Sequence, residues 1–399
     1  MKANRTYELG KRLLVTILIL VIYMAGRSIL LYCVDPAAYQ LEELDTQNIM
    51  ASMISGDRYQ YTVFALGVMP YIMSSLLMWL YAAIRGSDYK SRISPRKMSQ
   101  ATLALMMVMA SVSALSRAGD LVFQESALNV QVLRAIAVAE MVAGAAVIYG
   151  MASFNKERGI GGQMPIILVN IVDNLALTIQ KSAPEQLKRP AALCLIMVII
   201  ILAMENVIIR IPVQRVSIHN DYAKDSYIPL KSDPIGVMPV MFAVSFLMIL
   251  RFLVRLLLYI FEDSQMLQLF YNRLELTNAA GAGVYLGIVF ALNILFSFIM
   301  ISPGEMAENL QKGGDSIVNV YAGKKTKRYL RKKLLLLDIF SGLVFCLMMG
   351  TSLTLALRGE LSSELAMLPS RAMILTGITL TLLREIKAYW KFDSYSFFI

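Results

Sequence analysis

Apolar stretches of about 20 residues follow one another along the chain, and this pattern predicts a membrane protein. A helix of that length crosses the hydrocarbon core of a bilayer. The composition agrees, because 57% of the residues are hydrophobic and only 17% are charged. We predict an all-α membrane protein with ten transmembrane helices, at residues 13–31, 62–84, 101–119, 135–154, 161–179, 191–209, 235–257, 280–301, 334–356 and 370–389.

The tetrapeptide Gly-Val-Met-Pro occurs twice, near the start of the second and of the seventh predicted helix. Its prolines, Pro70 and Pro239, each remove a backbone donor. Inside a soluble helix this costs about 3 kcal/mol, and a membrane helix tolerates it only where packing or water satisfies the freed groups. Two such breaks in opposite halves of the chain indicate a duplicated unit, and in membrane carriers they mark the translocation site.

Basic residues are concentrated in alternate loops between the predicted helices. The N-terminus, the even-numbered loops and the C-terminal tail hold most of the 38 Lys and Arg residues. Because cytoplasmic loops carry the excess of positive charge, we expect a multi-pass protein of the cell membrane with both termini in the cytoplasm. The densest cluster lies in the eighth loop, within residues 324–333. It either contacts lipid headgroups or binds a cytosolic protein.

Catalytic, metal-binding and nucleotide-binding patterns are weak in this sequence. The single histidine, His219, lies in a polar loop, and the three cysteines are scattered. Residues 159–162 are rich in glycine but lack the GK[ST] of a phosphate loop, so we interpret them as a tight interhelical turn. Carboxylates within the predicted helices are too dispersed for an ion relay: Glu140, Asp173, Glu205 and Asp338. We expect no enzymatic activity, cofactor or metal.

Five motifs in order resemble those of the SecY family, whose members are the central subunits of protein-conducting channels. The motifs are FALGVMPYI at 64–72, ERGIG at 157–161, RIPVQ at 210–214, PLK at 229–231 with the second GVMP, and AENL at 307–310. A single motif of this kind would be weak. Five in the family's order, on a chain with ten predicted helices, favour membership.

The resemblance implies a clamshell of two pseudo-symmetric halves, helices one to five in residues 1–190 and helices six to ten in residues 191–399, around an hourglass pore. The side chains implied for its narrow ring are Val68, Ile72, Met164, Leu168, Met241 and Leu375. An apolar ring excludes water and ions yet yields around a passing chain. Methionine suits such a ring because its unbranched side chain adapts to varied shapes.

The resemblance also implies a lateral gate and a plug. The gate would be formed by the second and seventh helices, which contain Pro70 and Pro239. The plug would close the external funnel at rest, so its deletion should raise ion leakage. Its residues would be Asn48, Ile49, Met50, Ala51, Ser52, Met53, Ile54 and Ser55.

Departures from the family pattern concentrate on partner-facing and gating surfaces. Tyr321 replaces an arginine that helps engage the motor or ribosome, and Asp233 replaces an asparagine. This is typical of a specialised member and resembles the accessory SecY proteins of Gram-positive bacteria, which export serine-rich glycoproteins. The partners implied are a SecA-type ATPase of accessory type, a small SecE-like subunit, accessory Sec proteins, the exported preprotein and membrane lipid, and no nucleic acid.

The motor would dock on the cytoplasmic loops at 210–233 and 302–333. The residues implied are Arg210, Arg215, Tyr321, Lys324, Lys325, Lys327 and Arg328. Two alternatives stay open. A housekeeping SecY for general secretion and membrane insertion is the same class of channel with other clients. An ion-coupled secondary transporter is a different class, favoured by the interrupted helices and the internal symmetry but not by the dispersed charges.

Overall fold

A computed structural model describes residues 8–35, 61–85, 94–119, 121–124, 129–214, 226–261, 264–274, 278–358 and 363–395. Helices form most of these segments. The first six are α1 (Glu8–Gly26), α2 (Met69–Arg85), α3 (Pro95–Ala118), α4 (Val130–Arg158), α5 (Met164–Lys181) and α6 (Pro184–Asn206). The others are α7 (Met238–Ile260), α8 (Gln265–Arg273), α9 (Ala279–Ile301), α10 (Pro303–Lys312), α11 (Lys324–Leu357), α12 (Ser363–Ala366) and α13 (Leu368–Tyr395).

Each of the ten predicted segments overlaps a helix of at least 17 residues. Among the described residues, seven helical runs are long and apolar enough to cross a membrane: α1, α3, α4, α6, α7, α9 continued by α10, and α11. The chain is therefore a multi-pass membrane protein. The helices in the other three predicted segments, α2, α5 and α13, are shorter or more polar. The total of ten spans therefore stays a prediction.

A small sheet, which the prediction of an all-α fold had missed, accompanies the helices. Its strands are β1 (Ile208–Gln214), β2 (Tyr227–Lys231) and β3 (Ser316–Ile317), in the order β2-β1-β3, and both pairings are antiparallel. Alternate residues of β1 face inward, and Ile211 and Val213 are buried. Ile211 belongs to a hydrophobic cluster to which β2, β3, α10 and α11 also contribute.

The residues divide by their contacts into two compact units, one comprising Met1–Leu187, Ser363–Leu365 and Gly377–Ile399, and the other Lys188–Ser362 and Ala366–Thr376. In the first unit, α2, α3 and α4 pack around a core of small and aliphatic side chains. Apolar residues on the outer face of α1 stay exposed, among them Leu14, Ile17 and Val21, as expected of a helix that faces lipid. The predicted division at residue 190 stays a prediction.

In the second unit, α9 and α11 pack closely. Gly342 permits this approach, since a Cβ at its position would lie 2.9 Å from a ring carbon of Phe290. The buried amide of Asn293 on α9 donates to the carbonyl of Asp338 at 2.7 Å and to the hydroxyl of Ser341 at 2.8 Å. This buried polar contact fixes the register of the two helices.

Candidate functional site

Both Gly-Val-Met-Pro motifs begin a helix instead of breaking one. Gly67 and Gly236 have positive φ angles of 54° and 76°, and the next helix starts at the methionine that follows, so each proline occupies the first turn. In the first turn of a helix a backbone amide has no intrahelical acceptor, so proline loses no hydrogen bond there, and its fixed φ angle suits a helix. The prediction that Pro70 and Pro239 interrupt helices was therefore wrong, because the apolar run extends past the true helix start.

The two motifs place corresponding residues at the same point of each helix. Ile72 donates its amide to the carbonyl of Val68 at 3.1 Å, and Met241 donates to Val237 at 3.3 Å. These are early hydrogen bonds of α2 and α7. Ile72 and Met241, both predicted ring residues, are thus equivalent positions of the repeated motif. Both side chains are buried, at 1% and 6% exposure.

The other predicted ring residues also lie near helix starts. Met164 begins α5, and Leu168 lies one turn later. Leu375 lies about two turns after the start of α13. Each of these helices has proline as its second residue, Pro165 in α5 and Pro369 in α13, as in the two repeated motifs. Sequence reasoning missed this shared Xaa-Pro start, although Met164-Pro165 repeats the Met-Pro of both motifs.

A buried asparagine shapes the glycine-rich turn before α5. The side-chain amide of Asn155 donates to the carbonyls of Ile160 at 2.8 Å and Gly162 at 2.7 Å. Its oxygen accepts a hydrogen bond from Thr16 of α1 at 2.8 Å. The amide of Ile160 in turn donates to the Thr16 hydroxyl at 2.9 Å. The turn predicted at 159–162 is present, and these contacts fix where α5 begins relative to α1 and α4.

Polar contacts continue along the seam between α1 and α5. Tyr23 donates to the side chain of Asn170 at 2.9 Å, and Arg27 forms an ion pair with Asp173 at 2.7 Å. A cavity of about 370 Å³ adjoins this pair, and Tyr61 contributes to its lining. The ion pair engages one of the carboxylates that an ion-coupled carrier would need.

The docking residues that the structure describes lie on two neighbouring elements of one unit. Arg210 is exposed on β1, and its guanidinium lies 4.8 Å from the ring centroid of Tyr227 on β2. Tyr321 is 76% exposed, and the ammonium of Lys325 lies 4.4 Å from the centroid of its ring. The sheet joins strands from the sixth loop to a strand from the eighth, so the described parts of both predicted docking loops form one surface.

The basic cluster is helical, whereas the prediction had placed it in the eighth loop, before the ninth predicted helix. Lys324 begins α11, and Lys324, Lys325, Lys327 and Arg328 are all exposed. No acidic residue lies in the first turn of this helix. Positive charge is unfavourable at a helix N-terminus, because the backbone dipole is positive there. The cluster therefore does not stabilise the start of α11.

Some predicted site residues lie outside the described residues: the plug segment 48–55 and Arg215. The predicted gate prolines are buried in the first turns of α2 and α7. Among the described residues, no group of three or more His, Cys, Asp or Glu side chains could hold a metal ion.

Comparison with known proteins decides the family. The sequence profile of SecY matches residues 62–383. The chain belongs to the SecY family. Two relatives are each named accessory Sec system protein translocase subunit SecY2. The relative from Streptococcus sanguinis is 26% identical over 96% of this chain and 97% of its own length. The one from Leuconostoc gelidum subsp. gasicomitatum is 24% identical over 98% and 97%.

Solved SecY-type structures share the fold. One, described as a protein conducting channel, aligns with a TM-score of 0.66 at 14% identity, covering 98% of this chain and 95% of that chain. Sec61 from a canine ribosome-channel complex aligns with a TM-score of 0.58 at 13% identity, with the same coverage. The predicted resemblance to SecY and its accessory members is confirmed. The chain is a subunit of a protein-translocation channel.

Proposed function

We propose that this chain forms the pore of an accessory-type protein translocase in the cell membrane, with both termini in the cytoplasm. A SecA-type ATPase would drive unfolded polypeptides through a ring formed by Val68, Ile72, Met164, Leu168, Met241 and Leu375. The observation that carries the proposal is the placement of these six residues beside four helix starts of the same Xaa-Pro type.

Helix starts within a bilayer are tolerated only where they are buried in protein or line water. Four helices that begin at the level of a pore would meet this requirement and would direct apolar side chains of their first turns toward it. Such a constriction prevents ion flow by excluding water. Methionine at two of the six positions would adapt to a passing chain.

The cytoplasmic partner would bind the surface formed by the sheet and the start of α11. This helix has 34 residues, about 50 Å at roughly 1.5 Å per residue, and exceeds the bilayer core of about 30 Å. Its first turns therefore extend into the cytoplasm with their exposed basic residues. Tyr321, in place of the usual arginine, supports a dedicated accessory motor, and the two relatives described above carry accessory names. A small SecE-like subunit would hold the two halves together.

Crosslinking to an arrested substrate tests the pore. Met164→Cys and Met241→Cys variants, each with a reactive bifunctional probe, should crosslink to a polypeptide stalled during export. A matched cysteine at Leu347, an α11 residue that is 62% exposed and suited to face lipid, should not. Crosslinking at Leu347 with none at the two methionines would overturn the proposed ring.

The ion-coupled carrier has no observation in its favour among the described residues. Asp173 pairs with Arg27, and the carboxylate of Glu140 accepts the amide of Tyr32 at 3.0 Å. Both carboxylates on the predicted external side thus have structural partners. A housekeeping SecY differs only in its clients. Export of a serine-rich glycoprotein and of a general secretory protein by the same vesicles would separate the two roles.

A further inference from the structure

Two buried carboxylates meet at the start of α7. Glu205, at the end of α6, is 4% exposed, and Asp233, between β2 and α7, is 1% exposed. Both approach Gly236. The amide of Gly236 donates to the Asp233 carboxylate at 3.0 Å, and a Cβ at Gly236 would lie 2.8 Å from Oε1 of Glu205. Two acidic side chains therefore surround the single residue from which the gate motif of α7 begins.

Among the described residues, Lys231 is the cation that faces these two carboxylates. It lies at the end of β2, places its ammonium 3.5 Å from Glu205 and is 40% exposed. The charged groups that act on Asp233 are Glu205 from α6 and Lys231 from β2, and the amides of Ile235 and Gly236 also contact it. If both carboxylates were ionised, a net negative charge would stay buried. Two neighbouring buried carboxyl groups do not readily ionise together, so one of them retains a proton.

The remaining oxygen of Asp233 identifies where the proton resides. Its Oδ2 is buried and has no hydrogen-bond partner among the described residues. The ammonium of Lys231 forms its ion pair with Glu205, so Asp233 is the member that holds the proton. Burial, and secondly the charge of Glu205, raise the pKa of Asp233 to about 7. The asparagine that the family usually has at this position would be neutral at every pH.

We propose that Glu205 and Asp233 form a one-proton carboxyl pair that holds the start of α7, and that loss of this proton loosens the Gly236–Met238 segment. Both are positioning residues, because they act through the backbone of α7. The consequence for gating rests on the proposed function, in which α7 forms one side of the lateral gate. Proton loss leaves two repelling anions around Gly236, and the helix start moves to separate or hydrate them.

The sign of the pH dependence follows from the raised pKa. Between about pH 4 and about pH 7 the folded segment binds a proton that the opened segment releases, so the free energy of opening falls as pH rises. Above about pH 7 it stays at its lower value. A carboxyl group with a purely structural role and an ordinary pKa would give no such step near neutral pH.

Hydrogen exchange on the full chain in lipid nanodiscs, at about pH 6 and about pH 8, tests the pair. Amides of 236–242 are compared with amides of α4, which corrects for the intrinsic pH dependence of exchange. In the wild type, the corrected exchange should rise by roughly tenfold between the two conditions. Asp233→Asn should abolish this rise, whereas Glu308→Gln, which removes an exposed carboxylate on α10, should retain it. An equal rise in the wild type and in Asp233→Asn overturns the proposal.

Two further variants separate a titrating pair from a structural contact. Glu205→Gln removes the repelling charge and should move the step to lower pH. Lys231→Met removes the counter-ion and should move it to higher pH. A structural contact would instead raise exchange equally at all pH values, which would contradict the pair.

Export measured with the same variants reconstituted in vesicles keeps the proposed function separate. If the step is present but neither the wild type nor any variant exports at any pH, the proposed function fails and the one-proton carboxyl pair stands. If export proceeds and no step exists, the pair is wrong.

Discussion

A single amide, that of Asn155, organises the turn on which α5 depends. Its nitrogen satisfies two carbonyls of the glycine-rich turn, and its oxygen accepts from Thr16 of α1. The sequence predicted the turn from its glycines. It could not predict the asparagine, because a polar residue near the end of a long apolar helix has the same pattern whether its side chain faces solvent or another helix.

Replacing Asn155 by alanine should therefore lower stability. The substitution leaves the carbonyls of Ile160 and Gly162 without this donor, and each such group costs about 1–3 kcal/mol. The Thr16 hydroxyl can still donate to the carbonyl of Arg12. We expect a loss of about 2–5 kcal/mol in the free energy of unfolding of the full chain in detergent, measured by denaturant titration. Gln186→Ala, at an exposed position of α6, is the matched control and should stay within about 0.5 kcal/mol of the wild type. Equal effects of both substitutions would contradict this role.

At the scale of the element, the helix starts and the sheet depend on local backbone geometry, which the hydrophobicity pattern does not show. The apolar runs located the helices but extended past the starts of α2 and α7, where glycines with positive φ end the preceding chain. The sheet was missed for a related reason. Pro212 lies within β1, and proline is rare in a central strand. It is tolerated because β3 has only two residues and pairs with Val213 and Gln214, beyond the proline.

The position of the prolines predicts the effect of removing them. A proline inside a helix costs about 3 kcal/mol, so its replacement by alanine would stabilise the protein by a similar amount. A proline in the first turn costs nothing there and restricts the unfolded chain. Pro70→Ala and Pro239→Ala should therefore destabilise the chain by about 1 kcal/mol or less. Denaturant titration of each variant measures the change, and stabilisation by several kcal/mol would restore the interpretation of interrupted helices.

The basic residues at the start of α11 lead us to expect that charge reversal affects motor binding and thermal stability differently. Changing Lys324, Lys325, Lys327 and Arg328 to glutamate places negative charge at the helix N-terminus, where it is favourable by about 0.3–1 kcal/mol per residue. Thermal unfolding should therefore occur at the same or a higher temperature. Motor binding, measured by titration of the reconstituted channel, should weaken at least about tenfold, which corresponds to about 1.4 kcal/mol.

The matched control reverses two exposed charges elsewhere. Lys188→Glu with Arg189→Glu changes the start of α6, on the predicted external side. It should leave motor affinity unchanged. A similar loss of affinity in both variants would show that only the net charge of +10 attracts the motor, and not this surface.

For the whole molecule, the sequence predicted the family and the helix positions because both depend on short motifs and on long apolar runs. Contacts between distant residues depend on packing, which the pattern does not contain. The ion pair of Arg27 with Asp173 joins residues 146 positions apart, and no spacing rule connects them. The carboxyl pair at Gly236 likewise joins the end of α6 to a residue after β2.

Removal of the external carboxylates distinguishes a protein channel from a solute carrier. Glu140→Gln and Asp173→Asn together eliminate two acidic groups that a carrier would use to bind a coupling ion. In this structure Glu140 accepts the amide of Tyr32, and Asp173 pairs with Arg27, whose side chain is 9% exposed, so both carboxylates serve as structural partners. Because the amide side chains of the two variants keep a hydrogen-bond acceptor at each position, export of a preprotein into vesicles should persist within about threefold of the wild-type rate. Loss of export, with the variant still folded and binding its motor, would show that these carboxylates participate in transport and would favour an ion-coupled mechanism.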